Sequence, residues 1–408
     1  MVTPFLDDAK AIAPEITELR HAIHREPEVG LDLPLTQGKV LAALDGLPLE
    51  ITCGRALSSV TAVLRGRGAG GGAAGSPGRT VLLRGDMDAL PVAERTGVPY
   101  TSQTDGVMHA CGHDLHTAML VGAARLLSAR RDDLPGNVIF MFQPGEEGAG
   151  GAKLMIEEGV LDAAGERPVA AFALHVGSGL LPFGLTASRP GPVLAAADTL
   201  RVTVRGRGDH GAQPHMAADP IAVACEMVTA LQTMVTRRFD VFDPVVLTVG
   251  TFHAGTADNV IPDTAAFVTT VRTFSAQARD AVRDAAPNLV RQLAAAHGLS
   301  ADADFVDGYP VTVNDNAETD FAAGAVGAVL GAHRYLTVPN PLTGSEDFSY
   351  VLEQVPGAFV MLGACPPDAD PATAPYNHSA EAVFDDGALA DGVALYAELA
   401  ARRLAADN

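Results

Sequence analysis

The sequence predicts an α/β protein: a domain with a central, mostly parallel sheet flanked by helices, interrupted by a smaller ferredoxin-like β-α-β-β-α-β domain. Three observations carry this reading. Apolar runs of strand length alternate with helical patterns through the first part of the chain, as they do where crossover helices join parallel strands. Between about residues 193 and 312 the order becomes strand, helix, strand, strand, helix, strand, which closes as a unit of its own. Beyond 313 the first pattern returns. The larger domain therefore reads as 1–192 with 313–408, and the insertion as 193–312.

Taken in order, Pro14 reads as a helix start with Ile16, Leu19 and Ile23 on one face. Ser59–Leu64 and Thr80–Arg84 read as strands, Asp114–Ala129 as a helix, Val138–Phe142 as a strand. Gly151–Glu158 reads as a helix and Val169–Val176 as a strand. In the insertion, Thr199–Arg205 alternates as a strand does, and Pro220–Arg237 follows as a helix. Val245–Thr251 and Ala265–Thr273 are strands; Ser275 caps a helix that runs to His297 and is ended by Gly298. Asp302–Tyr309 is its last strand, and Phe321–Leu330, the strand Ala358–Leu362 and the helix Leu389–Leu404 belong to the larger domain again. The Gly-rich stretch 66–78 lacks the Gly-Lys-Ser/Thr of a phosphate loop and leads into a strand, so it reads as a flexible connection.

Composition sets limits. With 48% hydrophobic residues in 408, there is material for a large core in two domains. A formal charge of -21 repels nucleic acid and anionic membranes, so neither is an expected partner. No apolar run approaches the ~20 residues of a membrane helix, and the N-terminus lacks the basic and apolar regions of a secretion signal. The four scattered cysteines, Cys53, Cys111, Cys225 and Cys365, suggest reduced thiols in the cytoplasm. Cys53, Cys225 and Cys365 read as packing residues, and His21, His24, His253, His297 and His333 as solvated histidines.

The densest chemistry is Met108-His109-Ala110-Cys111-Gly112-His113-Asp114-Leu115-His116, just before a helix. A thiolate and an imidazole two residues apart, with a glycine between them, can enter one metal site. Asp114 fits a helix cap or a ligand-orienting role. Gln143-Pro144-Gly145-Glu146-Glu147-Gly148 follows an apolar strand. Adjacent carboxylates suit a ligand and a general base, and equally suit exposed acids near a helix start. Asp86 and Asp88, at the end of another strand, fit a metal or its histidines, or a turn. His175 ends a strand and His378 follows a Pro-rich loop; each alone reads as an ordinary histidine. His210, in Asp209-His210-Gly211, could reach across a cleft to an oxyanion.

Nine segments in sequence order resemble the aminoacylase and carboxypeptidase family of dinuclear metallohydrolases. They are His24–Glu28, Arg84–Pro91, His109–His116, Gln143–Glu147, Leu174–Val176, Gly208–Pro220, Asn259–Pro262, Gly344–Phe348 and Asn377–Ser379. The resemblance is to its amidohydrolase branch, with the hippurate, indole-acetyl-amino-acid and N-acyl-amino-acid hydrolases. It implies that Cys111, His113, Glu147, His175 and His378 bind two divalent metal ions, zinc or manganese first and cobalt or nickel as further options. It implies that Glu146 is the general base and that His210 enters the partner's site in a homodimer. Asn259 and Arg272 fall where the family places substrate contacts, and Asp209 stands where it usually has glycine. The implied activity is hydrolysis of the amide of an N-acyl amino acid, with a carboxypeptidase or dipeptidase on the same scaffold as the alternative.

Overall fold

The structure is a computed structural model that describes residues 5–68 and 79–406; most of the Gly-rich connection lies outside the described residues. The chain divides into two compact units, each with its own hydrophobic core.

The first unit spans residues 1–193, 313–340 and 347–408. It begins α1 (Phe5–Arg25), α2 (Pro34–Leu44), β1 (Leu49–Cys53), β2 (Val60–Arg65), β3 (Thr80–Asp86) and α3 (His113–Ala129). It continues with β4 (Asn137–Gln143), α4 (Gly151–Glu157), β5 (Ala170–Gly177), β6 (Thr186–Ser188) and β7 (Gly191–Leu194), on which the chain leaves. Pro14 lies inside α1 and does not start it. Phe5 and Ala9 are buried alongside Ile16 and Ile23, so the apolar stripe extends the helix upstream past the hydrogen bond that proline cannot make.

The other unit takes residues 194–312 and 341–346. It holds β8 (Ala196–Arg205), β9 (Asp209–His210), α5 (Pro220–Arg238), β10 (Val245–Ala254), β11 (Val260–Ile261), β12 (Thr264–Thr273), α6 (Ala276–Ala296) and β13 (Ser300–Tyr309). Four strands form an antiparallel sheet in the order β10-β12-β8-β13. Leu200, Val202 and Val204 alternate inward along β8 and meet Phe267 of β12, Met227 and Leu231 of α5, and Val282 and Val290 of α6. Asp219 caps α5 through the Ile221 amide, and Ser275 caps α6 through the Ala278 amide. Residues 341–346, which the sequence reading leaves with the larger domain, group here, where the Ala195 amide meets the Leu342 and Gly344 carbonyls.

The chain re-enters the first unit along β14 (Thr312–Asn314) and adds α7 (Asn316–Val326), β15 (Tyr335–Thr337), α8 (Ser349–Leu352), β16 (Gly357–Gly363) and α9 (Ala388–Ala405). Its eight-stranded sheet has the order β1-β2-β4-β3-β5-β16-β6-β15. The central run β4-β3-β5-β16 is parallel, while β2 and β6 join it antiparallel. β3 and β4 are buried at every position, as expected of parallel strands covered on both faces. Helices α1, α3 and α9 pack on one another, and α3 and α9 lie on β3. No helix among the described residues is long and apolar enough to cross a membrane.

Candidate metal centre

The parallel strands bring polar residues together at their carboxyl ends, where an open α/β sheet forms its crevice. Asp86 ends β3, Gln143 ends β4 and leads into Glu146 and Glu147, and His175 lies two residues from the end of β5. Gly112, ahead of α3, has φ +80°, and a β-carbon there would stand 2.4 Å from Val176 Cγ2. Only glycine fits, and that close approach turns both Cys111 and His113 toward β5.

The five residues implied as ligands come together. Cys111, His113 and His175 form one set whose potential ligand atoms all lie within 4.8 Å of one another; Cys111, Glu147 and His378 form a second on the same criterion. Cys111 is common to both. Its sulfur is 3.5 Å from His175 Nε2, and His378 Nε2 is 3.1 Å from Glu147 Oε1. Glu146, buried, joins His113 and Glu147 in a further set.

Electrostatics in this cluster favour a cation. Burial alone would push the Cys111 thiol up, yet His175 and His113 hold it well below its ordinary value. Burial likewise opposes charge on His113, and Asp86, Asp88 and Cys111 overcome it, raising the imidazole well above its usual range. His378 is pushed up to about 10 by its bonds to Cys111 and Glu147. Both ring nitrogens of His113 are buried without a hydrogen bond, although Asp86 and Asp88 oxygens stand 3.7 and 3.6 Å away. Soft sulfur, imidazole nitrogen and carboxylate oxygen converging with buried, unsatisfied nitrogens is a donor set that a divalent metal ion fits.

The acids that sequence leaves between ligand and turn have definite partners. Asp88 accepts the amides of Glu146 and Glu147 at 2.9 and 3.0 Å, fixing the loop that carries both carboxylates. Asp86 takes His116 Nδ1 and the Arg84 guanidinium. His116 Nε2 in turn accepts the Val176 amide at 2.8 Å, so both its nitrogens are used and it braces the residue next to His175. Asp114 does not cap α3; it binds Arg20 Nε at 2.9 Å and His24 Nδ1 at 2.8 Å.

Several readings of lone residues are corrected. His24 is buried against Asp114 and Glu94, and His21 is partly buried, stacked on Tyr100 at 3.7 Å; helix α1 turns both inward, which a sequence run cannot display. Cys53 and Cys225 are exposed and do not pack, because β1 is a sheet edge and Cys225 lies on the outer face of α5; Cys365 is buried. His297 is exposed and paired with Glu226 at 2.7 Å.

His210, Asn259 and Arg272 lie in the other unit. His210 sits exposed on β9, opposite Val260 of β11, its Nδ1 accepting the Ala212 amide at 3.0 Å. Asp209 Oδ1 accepts the His210 amide, and Asn259 O accepts that of Gly211, so His210 and Asn259 are neighbours. Arg272 is not beside them. It lies eight residues along β12 from Thr264, roughly 26 Å at the usual strand rise. Burial lowers its guanidinium pKa against the pull of Asp198, and its Nη1 is buried without a hydrogen bond.

Comparisons with known proteins find related sequences and structures. The chain matches peptidase family M20/M25/M40 over residues 82–402. It is 35% identical over 404 residues to thermostable carboxypeptidase 2 of Saccharolobus solfataricus, covering 98% of this chain and 98% of the relative. It is 36% identical over 352 residues to an N-acetyl-L-cysteine deacetylase of Bacillus subtilis, covering 86% of this chain and 80% of that one. A solved Bacillus subtilis structure, described as a dinuclear metal binding peptidase of the M20 family, superposes with a TM-score of 0.81 at 33% identity, covering 97% of this chain and 99% of that chain.

Proposed function

Because the chain belongs to peptidase family M20/M25/M40 and is a metal-dependent hydrolase, we propose that it cleaves the amide bond of N-acyl amino acids. The observation that carries this reading is the pair of ligand sets sharing Cys111, with Glu146 held beside them. Cys111, His113, Glu147, His175 and His378 would hold two divalent ions, zinc or manganese, which supply Lewis acidity to the water and to the amide carbonyl.

The remaining steps belong to the chain. Glu146 accepts the proton of the attacking water and hands it to the departing amine; the Asp88 clamp on its amide fixes where the carboxylate stands. His210 donates its Nε2 proton to the oxygen on which charge develops. Arg272, with an unpartnered buried Nη1, suits the substrate's carboxylate. His210, whose strand lies by the Thr264 end of β12, and Arg272, near the other end of β12, are too far apart to serve the same small substrate, which supports a homodimer in which His210 and Asn259 come from the second copy. The four cysteines form no disulfide, which suits a reducing compartment, and the cytoplasm is the proposed setting.

A second reading, carboxypeptidase action, rests on the Saccharolobus relative, which matches nearly end to end. Metal-reconstituted enzyme assayed on N-acyl amino acids and on dipeptides separates the two. The amidohydrolase reading expects kcat/KM at least about ten-fold higher on the acylated set, worth ~1.4 kcal/mol of transition-state preference. Faster turnover of dipeptides would overturn it in favour of the peptidase.

A further inference from the structure

Asn377 reads in the sequence only as the neighbour of His378, but its side chain touches three segments of the centre. Its Nδ2 donates to the Val176 carbonyl at 2.9 Å. The same nitrogen faces the Cys111 carbonyl at 3.3 Å and the Cys111 sulfur at 3.7 Å, so its second hydrogen is shared between them. Its Oδ1 accepts the Ser178 amide at 3.0 Å and lies 3.2 Å from the Ser178 hydroxyl. The next residue, His378, has φ +72°, a left-handed conformation that disfavours a residue with a β-carbon. The His378 amide is tied to the Ala110 carbonyl at 2.8 Å, immediately before Cys111.

We propose that Asn377 is a positioning residue of the metal centre: its carboxamide clamps the Cys111 sulfur to the turn after His175 and holds His378 in its strained backbone. This rests on the reading of Cys111 and His378 as ligands. An N–H pointed at a thiolate draws electron density from the sulfur and fixes the direction of its lone pairs. The carboxamide suits this place because it alone offers donors to two carbonyls and a sulfur and an acceptor to an amide. Leucine has the shape and none of the bonds, and aspartate keeps the acceptor but loses both donors.

Cobalt(II) loaded into purified, metal-stripped protein tests the two readings separately, because a thiolate ligand gives cobalt a near-ultraviolet charge-transfer band. Absence of the band in the wild type, or its persistence in Cys111→Ser, would overturn Cys111 as ligand and the reading beneath this proposal. Given the band, Asn377→Leu is expected to move it to longer wavelength, since a sulfur freed of its donor gives up charge more readily. Cobalt should also pass to a chelator about ten-fold or more faster, the usual cost of losing an outer hydrogen bond to a ligand. Ser178→Ala, which removes one hydroxyl contact, should leave the band in place. A folded Asn377→Leu with unchanged band and unchanged cobalt loss refutes the clamp. Should the leucine variant fail to fold, Asn377→Asp decides the matter on the same two readouts.

Discussion

Arg84 offers the sharpest test of what holds the candidate centre in shape. It is fully buried on β3, with Nε on Gln143 Oε1 at 2.8 Å and Nη2 on Asp347 Oδ1 at 2.9 Å, while Nη1 pairs with Asp86. Gln143 Nε2 and the Ala152 amide also bond Asp347. Arg84→Met keeps the length and the apolar stem but removes the guanidinium from Asp347 and Asp86. Removing one partner of a buried pair costs about 3–5 kcal/mol, because the stranded charge has no water to return to. Asp86 keeps His116, so the loss falls mainly on Asp347. In a unit of this size roughly 2 °C of melting temperature follows each kcal/mol, giving a fall of roughly 6–10 °C. Calorimetry on metal-stripped protein keeps metal linkage out of the comparison, and the transition assigned to the first unit is the one compared. Arg84→Met with Asp347→Leu should melt higher than Arg84→Met alone, since the uncompensated carboxylate has gone with its partner. A single variant melting within about 1 °C of wild type would refute the reasoning, because no buried charge could then have been stranded.

Two further outcomes follow from the site. Glu146→Gln should retain metal and lose about 10²–10⁴-fold in kcat, while Glu147→Gln should first lose metal, as read by elemental analysis beside turnover; equal metal loss in both would remove the distinction drawn between them. Inactive His210→Ala subunits mixed with inactive Glu146→Gln subunits should regain activity after subunit exchange, because one site of the mixed dimer then carries both lesions and the other neither. A mixture that stays inactive despite proven exchange would place His210 outside its partner's site.

The sequence makes the long elements visible because their periodicity is imposed by burial. β3, β4 and β5 are near-continuous apolar runs, and α5 and α6 carry caps that mark their starts. Short pieces escape: β6 and β15 have three residues each, too few for a period to register. α1 starts earlier than its sequence suggests because Pro14 is an ordinary N1 residue in isolation, and only the burial of Phe5 and Ala9 reveals the upstream turns. His24 and His21 carry no sign of burial in their neighbours along the chain; their partners Asp114, Glu94 and Tyr100 are all remote in sequence.

The same remoteness explains why each motif at the site is weak alone. Several residues that the motifs leave over brace residues of another motif. Asp88 holds the amides of Glu146 and Glu147, although its own neighbours suggest a turn. His116 looks like a spare ligand beside His113, yet it braces Val176 next to His175, and Asp86 sets its tautomer. Arg84 reaches from β3 to Gln143 and Asp347, and Asn377 reaches from the last motif to Cys111. A surface acid or a solvated histidine needs no such counterpart, so any one of these residues is compatible with a bland role. A chain that carries the motifs in order supplies the partners of Asp88, His116, Arg84 and Asn377, and buried polar groups are costly where such partners are missing. Removing one anchor should therefore disturb a functional residue far from it in sequence and leave its own neighbours along the chain in place.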